Sequence, residues 1–256
     1  MPREVAEARR AAGGDVFVVD LEGAAGDWAS AFPHARVSLG QVGRVLDMLA
    51  REGCDAVTMA GGLTRPSLPA VRFDRKGLAL LPRVARLFLS GDDRLLSGVA
   101  DLFEEHGFPV IGAEAFLPGS LAESGTVVGT LHGAEDIALG RAILDALASF
   151  DIGQAVVVAQ GRCLAVEAAE GTAAMLERVA GLRSGEARGG VLVKMPKRGQ
   201  DARVDRPAIG PDTARAAAAA RLDGIAVEAG GVFVLETART ARLVREAGLF
   251  LHGFER

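Results

Sequence analysis

The amino-acid sequence predicts an α/β fold of two domains: a Rossmann-like parallel α/β domain over residues 1–116 and a C-terminal α+β domain over residues 134–256. The first half of the chain alternates helical periodicity with near-continuous apolar runs, which is typical of a parallel sheet covered by helices. The second half carries shorter apolar runs joined by hairpin-like turns. Residues 117–133 are rich in Gly, Ser and Thr, and we expect them to link the two domains.

The N-terminal domain is predicted from two apolar runs that a parallel sheet would bury on both faces. Asp15–Leu21 has the sequence DVFVVDL and Cys54–Ala60 has the sequence CDAVTMA, and both follow segments of helical periodicity. Pro109–Gly112 is a candidate for a short third strand. Helices are predicted over residues 3–12, 40–52, 78–89 and 92–106.

The C-terminal domain is predicted from a hairpin followed by alternating helices and strands. Gln154–Ala159 and Arg162–Ala168 are apolar runs separated only by Gln160-Gly161, a two-residue connection that favours a β-hairpin. Helices are predicted over residues 134–149, 171–182 and 238–247, and strands over residues 190–195, 225–227, 232–236 and 249–254.

Composition excludes several classes of protein. The 256 residues carry a formal net charge of −4, no tyrosine and a single tryptophan, Trp28, which disfavours a nucleic-acid partner. Cys54 and Cys163 lie far apart in the sequence, which disfavours a disulfide framework or a structural zinc site. The first twelve residues are charged and alanine-rich and do not resemble a signal peptide. We therefore expect a cytosolic protein.

The densest polar segment is Lys194–Gly210, which directly follows a predicted buried strand. It combines five Lys and Arg residues with Asp201 and Asp205. Cations can neutralise phosphate oxygens, and a carboxylate can hold a hard ion such as Mg²⁺. The segment therefore indicates a phosphate site with a metal, although a solvated loop of internal ion pairs would show the same composition.

Two further segments follow predicted strands and could bind an anion. Glu167–Thr172 ends in a Gly-Thr pair that opens a helix, whose backbone N–H groups could accept a phosphate. Thr172 could equally be a simple helix cap. Gly61–Pro66 places a glycine pair and Arg65 after a predicted parallel strand, where α/β sheets bind ligands. The chain has no GxGxxG, Walker A or GxSxG motif, which disfavours a dinucleotide enzyme and an α/β-hydrolase.

Six stretches of the chain resemble, in order, one known family. It is the metal-dependent UDP-2,3-diacylglucosamine pyrophosphatase family of the lipid A pathway, in the form that lacks a calcineurin-like fold. The longest similarity covers residues 150–210. The stretches are PREVAEARRAAG (2–13), AGGLTRP (60–66), SGDDRLL (90–96), FDIGQAVVVAQGRCLAVEAAEGT (150–172), GGVLVKMPKRGQDARVDRPAIG (189–210) and GIAVEAGGVFVLE (224–236).

The resemblance implies a reaction and its participants. Water attacks the α-phosphorus of UDP-2,3-diacylglucosamine, and the products are UMP and 2,3-diacylglucosamine 1-phosphate. The family implies Mg²⁺, for which Mn²⁺ could substitute, a chamber between two domains, and a homodimer. Because the substrate is an amphiphilic nucleotide-sugar lipid, we expect a cytoplasmic protein that transiently contacts the inner face of the inner membrane.

The resemblance also implies roles for particular residues. The family's functional aspartate, in the motif RVD-x-P-x-IG, falls on Asp205, which we expect to serve the metal or the attacking water. Asp201 is a second candidate metal ligand. From charge and position, we expect Lys194, Gln200 and Arg203 to contact phosphate or to orient Asp205.

A second group of residues is expected to complete the site. Glu170, Gly171 and Thr172 would line the same cleft from the start of a helix, and Arg65 would close over the glucosamine phosphate. The family has an acidic residue after Glu-Gly-Thr, whereas this chain has Ala173.

The N-terminus departs from the family pattern. Members usually begin with a short apolar strand and a Gly-Gly-Gly turn before the first helix, whereas here Met1 and Pro2 already suit the first helical turn. We therefore expect either that this chain lacks the first strand of the sheet or that its true start lies upstream. A non-catalytic protein that binds a lipid phosphate or a nucleotide sugar is the alternative function that this pattern leaves open.

Overall fold

The computed structural model describes residues 1–62, 71–80, 92–183 and 187–256. The chain is a mixed α/β protein with two compact units. Unit 1 comprises Met1–Pro118 and Asp201–Asp205, and unit 2 comprises Gly119–Gln200 and Arg206–Arg256. The short segment Asp201–Asp205 therefore belongs to unit 1, although residues of unit 2 precede and follow it in the sequence.

Unit 1 contains a parallel pair of strands packed against helices. The apolar side of the second helix, with Leu46 and Leu49, forms a small core with Val37 and Phe108. The elements are α1 (Pro2–Ala11), β1 (Val18–Leu21), β2 (His34–Val37), α2 (Val42–Arg51) and α3 (Asp92–Glu105), with 3₁₀ turns at Gly26–Ala31 and Ala113–Ala115. Residues 75–80 are also helical, and the rest of the predicted helix 78–89 lies outside the described residues.

The strands of unit 1 differ from the sequence prediction. The strand predicted over Cys54–Ala60 is wrong, because among the described residues this segment forms a single parallel bridge, between Val57 and Val110. The prediction also missed β2, which pairs in parallel with β1. Side-chain burial in β2 is uneven, with His34 and Arg36 exposed. A half-exposed strand of this kind lacks the continuous apolar run that the prediction required.

Unit 2 is built on a six-stranded mixed sheet. Its strands are β3 (Gly125–Val128), β4 (Ala155–Ala159), β5 (Arg162–Val166), β6 (Val191–Lys194), β8 (Gly224–Glu228) and β10 (Phe250–Phe254), with a separate parallel pair of β7 (Ala208–Ile209) and β9 (Phe233–Val234). The strand order in the sheet is β3-β10-β8-β6-β4-β5, and β6, β8 and β10 are parallel. Its helices are α4 (Ala134–Leu147), α5 (Gly171–Leu182), α6 (Pro211–Ala219) and α7 (Thr237–Glu246), with a 3₁₀ turn at Ala148–Phe150.

Both faces of this sheet are covered, which explains the continuous apolar runs of its central strands. Successive side chains of a strand point to opposite faces. The face toward α4 carries Val156, Val158, Val191 and Val193. The face toward α5, α6 and α7 carries Val157, Leu192, Ile225 and Val227.

The predicted hairpin is confirmed. Its turn residues, Gln160 and Gly161, both have positive φ values of 53° and 71°, as a type I′ turn requires. The buried carboxylate of Asp136 accepts hydrogen bonds from both turn N–H groups, at 3.0 Å and 2.7 Å. Helix α4 therefore holds the turn of the hairpin in place.

The predicted helices over residues 3–12, 40–52, 92–106, 134–149, 171–182 and 238–247 all form, within two residues at each end. Residues 117–133, predicted as a linker, include β3, which pairs antiparallel with β10. No helix within the described ranges is long and apolar enough to cross a membrane.

Candidate active site

Several polar side chains meet at one edge of the six-stranded sheet. Because β4 runs antiparallel to β6, the first residue of β4, Ala155, lies beside the last residue of β6, Lys194. Strand β5 runs back along β4, so Glu167 follows β5 at the same edge. This edge is the carboxyl end of the parallel strands, where open α/β sheets place their ligands.

A hydrogen-bonded chain of three side chains lies at this edge. Lys194 is 7% exposed, and its Nζ donates a hydrogen bond to Oγ1 of Thr172 at 2.8 Å. Thr172 in turn donates to Oε1 of Glu167 at 2.8 Å. The other oxygen of Glu167 accepts from the backbone N–H of Gln154 at 3.0 Å. A buried ammonium is thus connected through one hydroxyl to a carboxylate.

The N-terminus of α5 adds a further source of positive potential. Gly171 begins the helix with a φ of 79°, a left-handed conformation that favours glycine. Glu170, just before it, pairs with Arg178 at 2.5 Å. A hydrogen bond from its own backbone N–H, together with the nearby Arg178, lowers the pKa of Glu170 below its ordinary value. Glu170 is therefore a charged carboxylate that already has a cationic partner.

The loop that follows β6 is fastened to the end of α4 and to the turn after it. Lys197 pairs with Asp151, and Arg198 makes two hydrogen bonds to Asp145, at 2.9 Å and 2.8 Å. Oε1 of Gln200 accepts from the backbone N–H of Lys197 at 2.9 Å. These contacts fix the loop that leads from the sheet edge toward residues 201–205.

An ionic cluster lies on the α4 side of the same edge. Arg256 reaches Asp145 at 2.8 Å and Glu228 at 3.3 Å. Hydrogen bonds from Arg198, supported by Arg256, lower the pKa of Asp145 to about 2. Glu228, the last residue of β8, behaves in the opposite way, because burial raises its pKa above the ordinary value although Arg256 opposes the shift.

Asp201, Arg203 and Asp205 lie in unit 1. The Arg203 guanidinium binds both oxygens of Asp201, the shortest contact being 2.7 Å, and also contacts Glu104 at 2.5 Å. Hydrogen bonds from Arg203 lower the pKa of Asp201 below its ordinary value. The backbone N–H of Asp205 donates to the carbonyl oxygen of Asp201 at 3.1 Å, which closes a turn. Internal ion pairs, which the sequence analysis gave as the alternative to a phosphate site, are therefore present in this segment.

The metal ligands expected at Asp201 and Asp205 do not form a protein cage. Within the described ranges, no group of three or more His, Cys, Asp or Glu side chains could hold a metal ion, and the carboxylate of Asp201 is bound by Arg203. Mg²⁺ often binds through one or two carboxylates together with substrate phosphates and water. The described residues therefore do not fit an all-protein metal site, and an ion bound here would need ligands from outside the protein, such as phosphate oxygens and water.

The structure thus brings together part of the predicted site. Thr172 and Lys194 are in direct contact at the sheet edge, next to Glu170 and Gly171 at the start of α5. Arg65 lies outside the described residues. Sequence reasoning included Glu167 in a candidate anion-binding segment but gave it no role, although the predicted hairpin already implied that Glu167 and Gln154 lie at the same edge. The structure gives Asp201, Gln200 and Arg203 specific protein partners, whereas the sequence indicated only that internal ion pairs were an alternative for this segment.

Comparison with known proteins identifies the family. The model of the LpxI N-terminal domain matches residues 1–120, and the model of the LpxI C-terminal domain matches residues 126–252. This chain belongs to the LpxI family. Among LpxI proteins, the UDP-2,3-diacylglucosamine pyrophosphatase LpxI of Caulobacter vibrioides is 38% identical over 271 aligned residues, which cover 100% of this chain and 94% of that protein. The predicted family is confirmed, whereas its metal dependence and the missing first strand stay predictions.

Proposed function

We propose that this chain is a UDP-2,3-diacylglucosamine pyrophosphatase of lipid A biosynthesis. Water attacks the α-phosphorus, and the products are UMP and 2,3-diacylglucosamine 1-phosphate. The observation that carries the proposal is the 38% identity to the Caulobacter pyrophosphatase along the whole of this chain.

The sheet edge of unit 2 has the chemistry that a pyrophosphate needs. Lys194 supplies a buried positive charge, and the first N–H groups of α5, beside Gly171 and Thr172, form a helix N-terminus that favours anions. Such groups stabilise the negative charge that grows on the phosphate oxygens during attack. In this proposal Gln200 and Arg203 orient the segment that bears Asp205, and Asp205 orients the attacking water.

We further propose that Mg²⁺, or Mn²⁺ in its place, enters with the substrate, held by Asp205 and phosphate oxygens. The ion would withdraw charge from the phosphate oxygens. Asp201 makes a smaller contribution than predicted, because its carboxylate is bound by Arg203.

The expected Rossmann-like arrangement of unit 1, the homodimer and the membrane contact also stand as proposals. The parallel pairing of β1 with β2 and the parallel bridge of Val57 with Val110 support a Rossmann-like arrangement in unit 1. The amphiphilic substrate supports a cytoplasmic protein that contacts the inner face of the inner membrane only transiently, and the family resemblance supports a homodimer.

The test is turnover of the substrate itself. The purified protein is incubated with UDP-2,3-diacylglucosamine and Mg²⁺ in water labelled with heavy oxygen, and we expect UMP that carries the label. Label in the sugar phosphate would place attack at the β-phosphorus, and release of UDP would contradict pyrophosphate cleavage.

The Asp205→Asn and Asp205→Ala proteins should fold normally and lose turnover. Asp212→Asn, on the exposed start of α6, is the matched control and should retain full activity. Activity in either Asp205 variant would contradict the role of this residue. Substrate binding by the unmodified protein without any UMP release would favour the non-catalytic binding protein instead.

A further inference from the structure

Glu167 holds a position at the sheet edge that the proposed chemistry does not yet use. Its backbone N–H donates to the carbonyl oxygen of Ala155 at 2.9 Å, and both of its carboxylate oxygens accept hydrogen bonds. A Cβ added at Gly153 would lie 2.1 Å from the backbone oxygen of Glu167. The start of β4 therefore packs directly against Glu167, and this residue is fixed by its backbone and by its side chain.

The direction of the hydrogen bonds around Thr172 follows from the chemistry of the three groups. An ammonium only donates and an ionised carboxylate only accepts, whereas a hydroxyl has one proton to donate. Thr172 must therefore give its proton to Glu167 and accept from Lys194. Without Glu167, the hydroxyl proton would be free to rotate toward Lys194 and oppose its N–H groups.

The charge of Lys194 explains why the direction of these hydrogen bonds matters. A buried ammonium needs compensation, since removing it from water costs several kcal/mol. Glu167 supplies a negative charge that is joined to the ammonium through the hydroxyl of Thr172. This link stabilises the ammonium inside the protein, at the edge of the sheet where the anion is proposed to bind.

We propose that Glu167 is a positioning residue, which acts through Thr172 to hold the ammonium of Lys194 at the N-terminus of α5, where it binds the pyrophosphate of the substrate. This proposal rests on the proposed function for the identity of the anion. Glu167 itself does not touch the substrate.

The experiment compares four single variants of the full chain. Glu167→Gln keeps the shape of the side chain but replaces one acceptor oxygen with a donor. Thr172→Val removes the bridging hydroxyl, and Thr172→Ser restores it. Glu177→Gln is the matched control, because Glu177 is exposed on α5 and undergoes the same loss of charge.

Two quantities are measured for each protein: the Kd for inorganic pyrophosphate in the presence of Mg²⁺, by calorimetry, and KM and kcat for UDP-2,3-diacylglucosamine. Loss of one charge-assisted hydrogen bond weakens binding by about tenfold or more. We therefore expect Glu167→Gln and Thr172→Val to raise both Kd and KM by about tenfold, with a smaller change in kcat. Thr172→Ser should recover most of the affinity that Thr172→Val loses, and Glu177→Gln should resemble the unmodified protein.

The outcomes separate this inference from the proposed function. If pyrophosphate binding follows the expected order but no UMP is released by the unmodified protein, the inference stands and the proposed function fails. If UMP is released normally and Glu167→Gln binds pyrophosphate as tightly as the unmodified protein, the inference is overturned. A fall in kcat at unchanged KM, or a Thr172→Ser protein as weak as Thr172→Val, would show that these residues only maintain the fold and would overturn it as well.

Discussion

The two units bury their core residues to different depths. In unit 2, central-strand residues such as Val157, Leu192 and Ile225 have no exposed surface, because each strand has neighbours on both sides and helices on both faces. In the core cluster of unit 1, Leu49 and Phe108 retain 5% and 8% of their surface. There the described pairing consists of one strand pair and one bridge.

The two units also hold their predicted site residues by different means. Lys194 is the last residue of a fully buried strand, so its backbone is held by β4 on one side and by β8 on the other. Asp205 instead lies in a five-residue excursion that belongs to unit 1 and is shaped by Arg203 and its ion pairs. The backbone of Lys194 is held by a sheet, whereas the segment that bears Asp205 is held by a turn and by the ion pairs of Arg203.

The sharpest test of this comparison removes equal volume from each core. Leu192→Ala in β6 should destabilise unit 2 by about 3–5 kcal/mol, because a central strand cannot collapse around the cavity. Leu49→Ala in α2 should cost unit 1 about 2–3 kcal/mol, since its surroundings can relax into partly exposed space. Urea unfolding measures both effects.

The two units can be followed separately in that experiment. Trp28 is the single tryptophan of the chain and lies in unit 1, so its fluorescence reports that unit, and hydrogen exchange in peptides from β6 reports unit 2. A larger loss of unfolding free energy from Leu49→Ala than from Leu192→Ala would contradict the conclusion that the core of unit 2 is the more deeply buried.

The same comparison explains which elements the sequence could predict. Strands β4 and β6 were predictable because a strand covered on both faces is apolar throughout, and the hairpin was predictable from Gln160-Gly161. Strand β2 was missed because its exposed positions, His34 and Arg36, interrupt the apolar run. The Cys54–Ala60 run is apolar enough for a strand, but pairing depends on neighbours that no local pattern reveals.

The candidate site, like the fold, could be predicted only in part from the sequence. Lys194 and Thr172 follow from the end of a strand and the start of a helix, and the structure joins them by a hydrogen bond. Glu167 was not selected, because its importance comes from the register between β4 and β5. The partners of Asp201 and Gln200 are side-chain and loop contacts, which depend on the folded geometry and not on residue type.

A second prediction concerns the attachment of the hairpin in unit 2. Asp136→Ala removes the acceptor for two backbone N–H groups of the hairpin turn, those of Gln160 and Gly161. We expect unit 2 to lose about 2–3 kcal/mol, because hydrogen bonds to a charged group contribute this much and the orphaned donors lose their partner. Faster hydrogen exchange in β4 and β5 would measure the loss.

The control for this prediction lies in unit 1. Asp47→Ala removes an exposed carboxylate from α2 and should change the stability of unit 1 by less than about 0.5 kcal/mol. Equal effects of the two substitutions would mean that the buried carboxylate of Asp136 does not hold the hairpin turn.

The smallest predicted effect depends on pH. Arg198 and Arg256 lower the pKa of Asp145 from 3.8 to about 2. Because the folded-state pKa is the lower one, the ionised carboxylate stabilises unit 2 fully above about pH 4. This contribution is lost as the pH falls toward 2. Asp145→Asn should therefore cost at most about 1 kcal/mol at neutral pH, as for a partly exposed pair.

The pH dependence of stability below pH 4 shows whether the ion pair has this effect. Between pH 4 and pH 2, urea unfolding of the Asp145→Asn protein, followed by circular dichroism, should depend less on pH than unfolding of the unmodified protein. Asp212→Asn removes a fully exposed carboxylate and should leave the profile unchanged. Trp28 fluorescence should also give the same profile in all three proteins, because Asp145 belongs to unit 2. If Asp145→Asn altered the Trp28 profile, the effect of Asp145 would not be confined to unit 2.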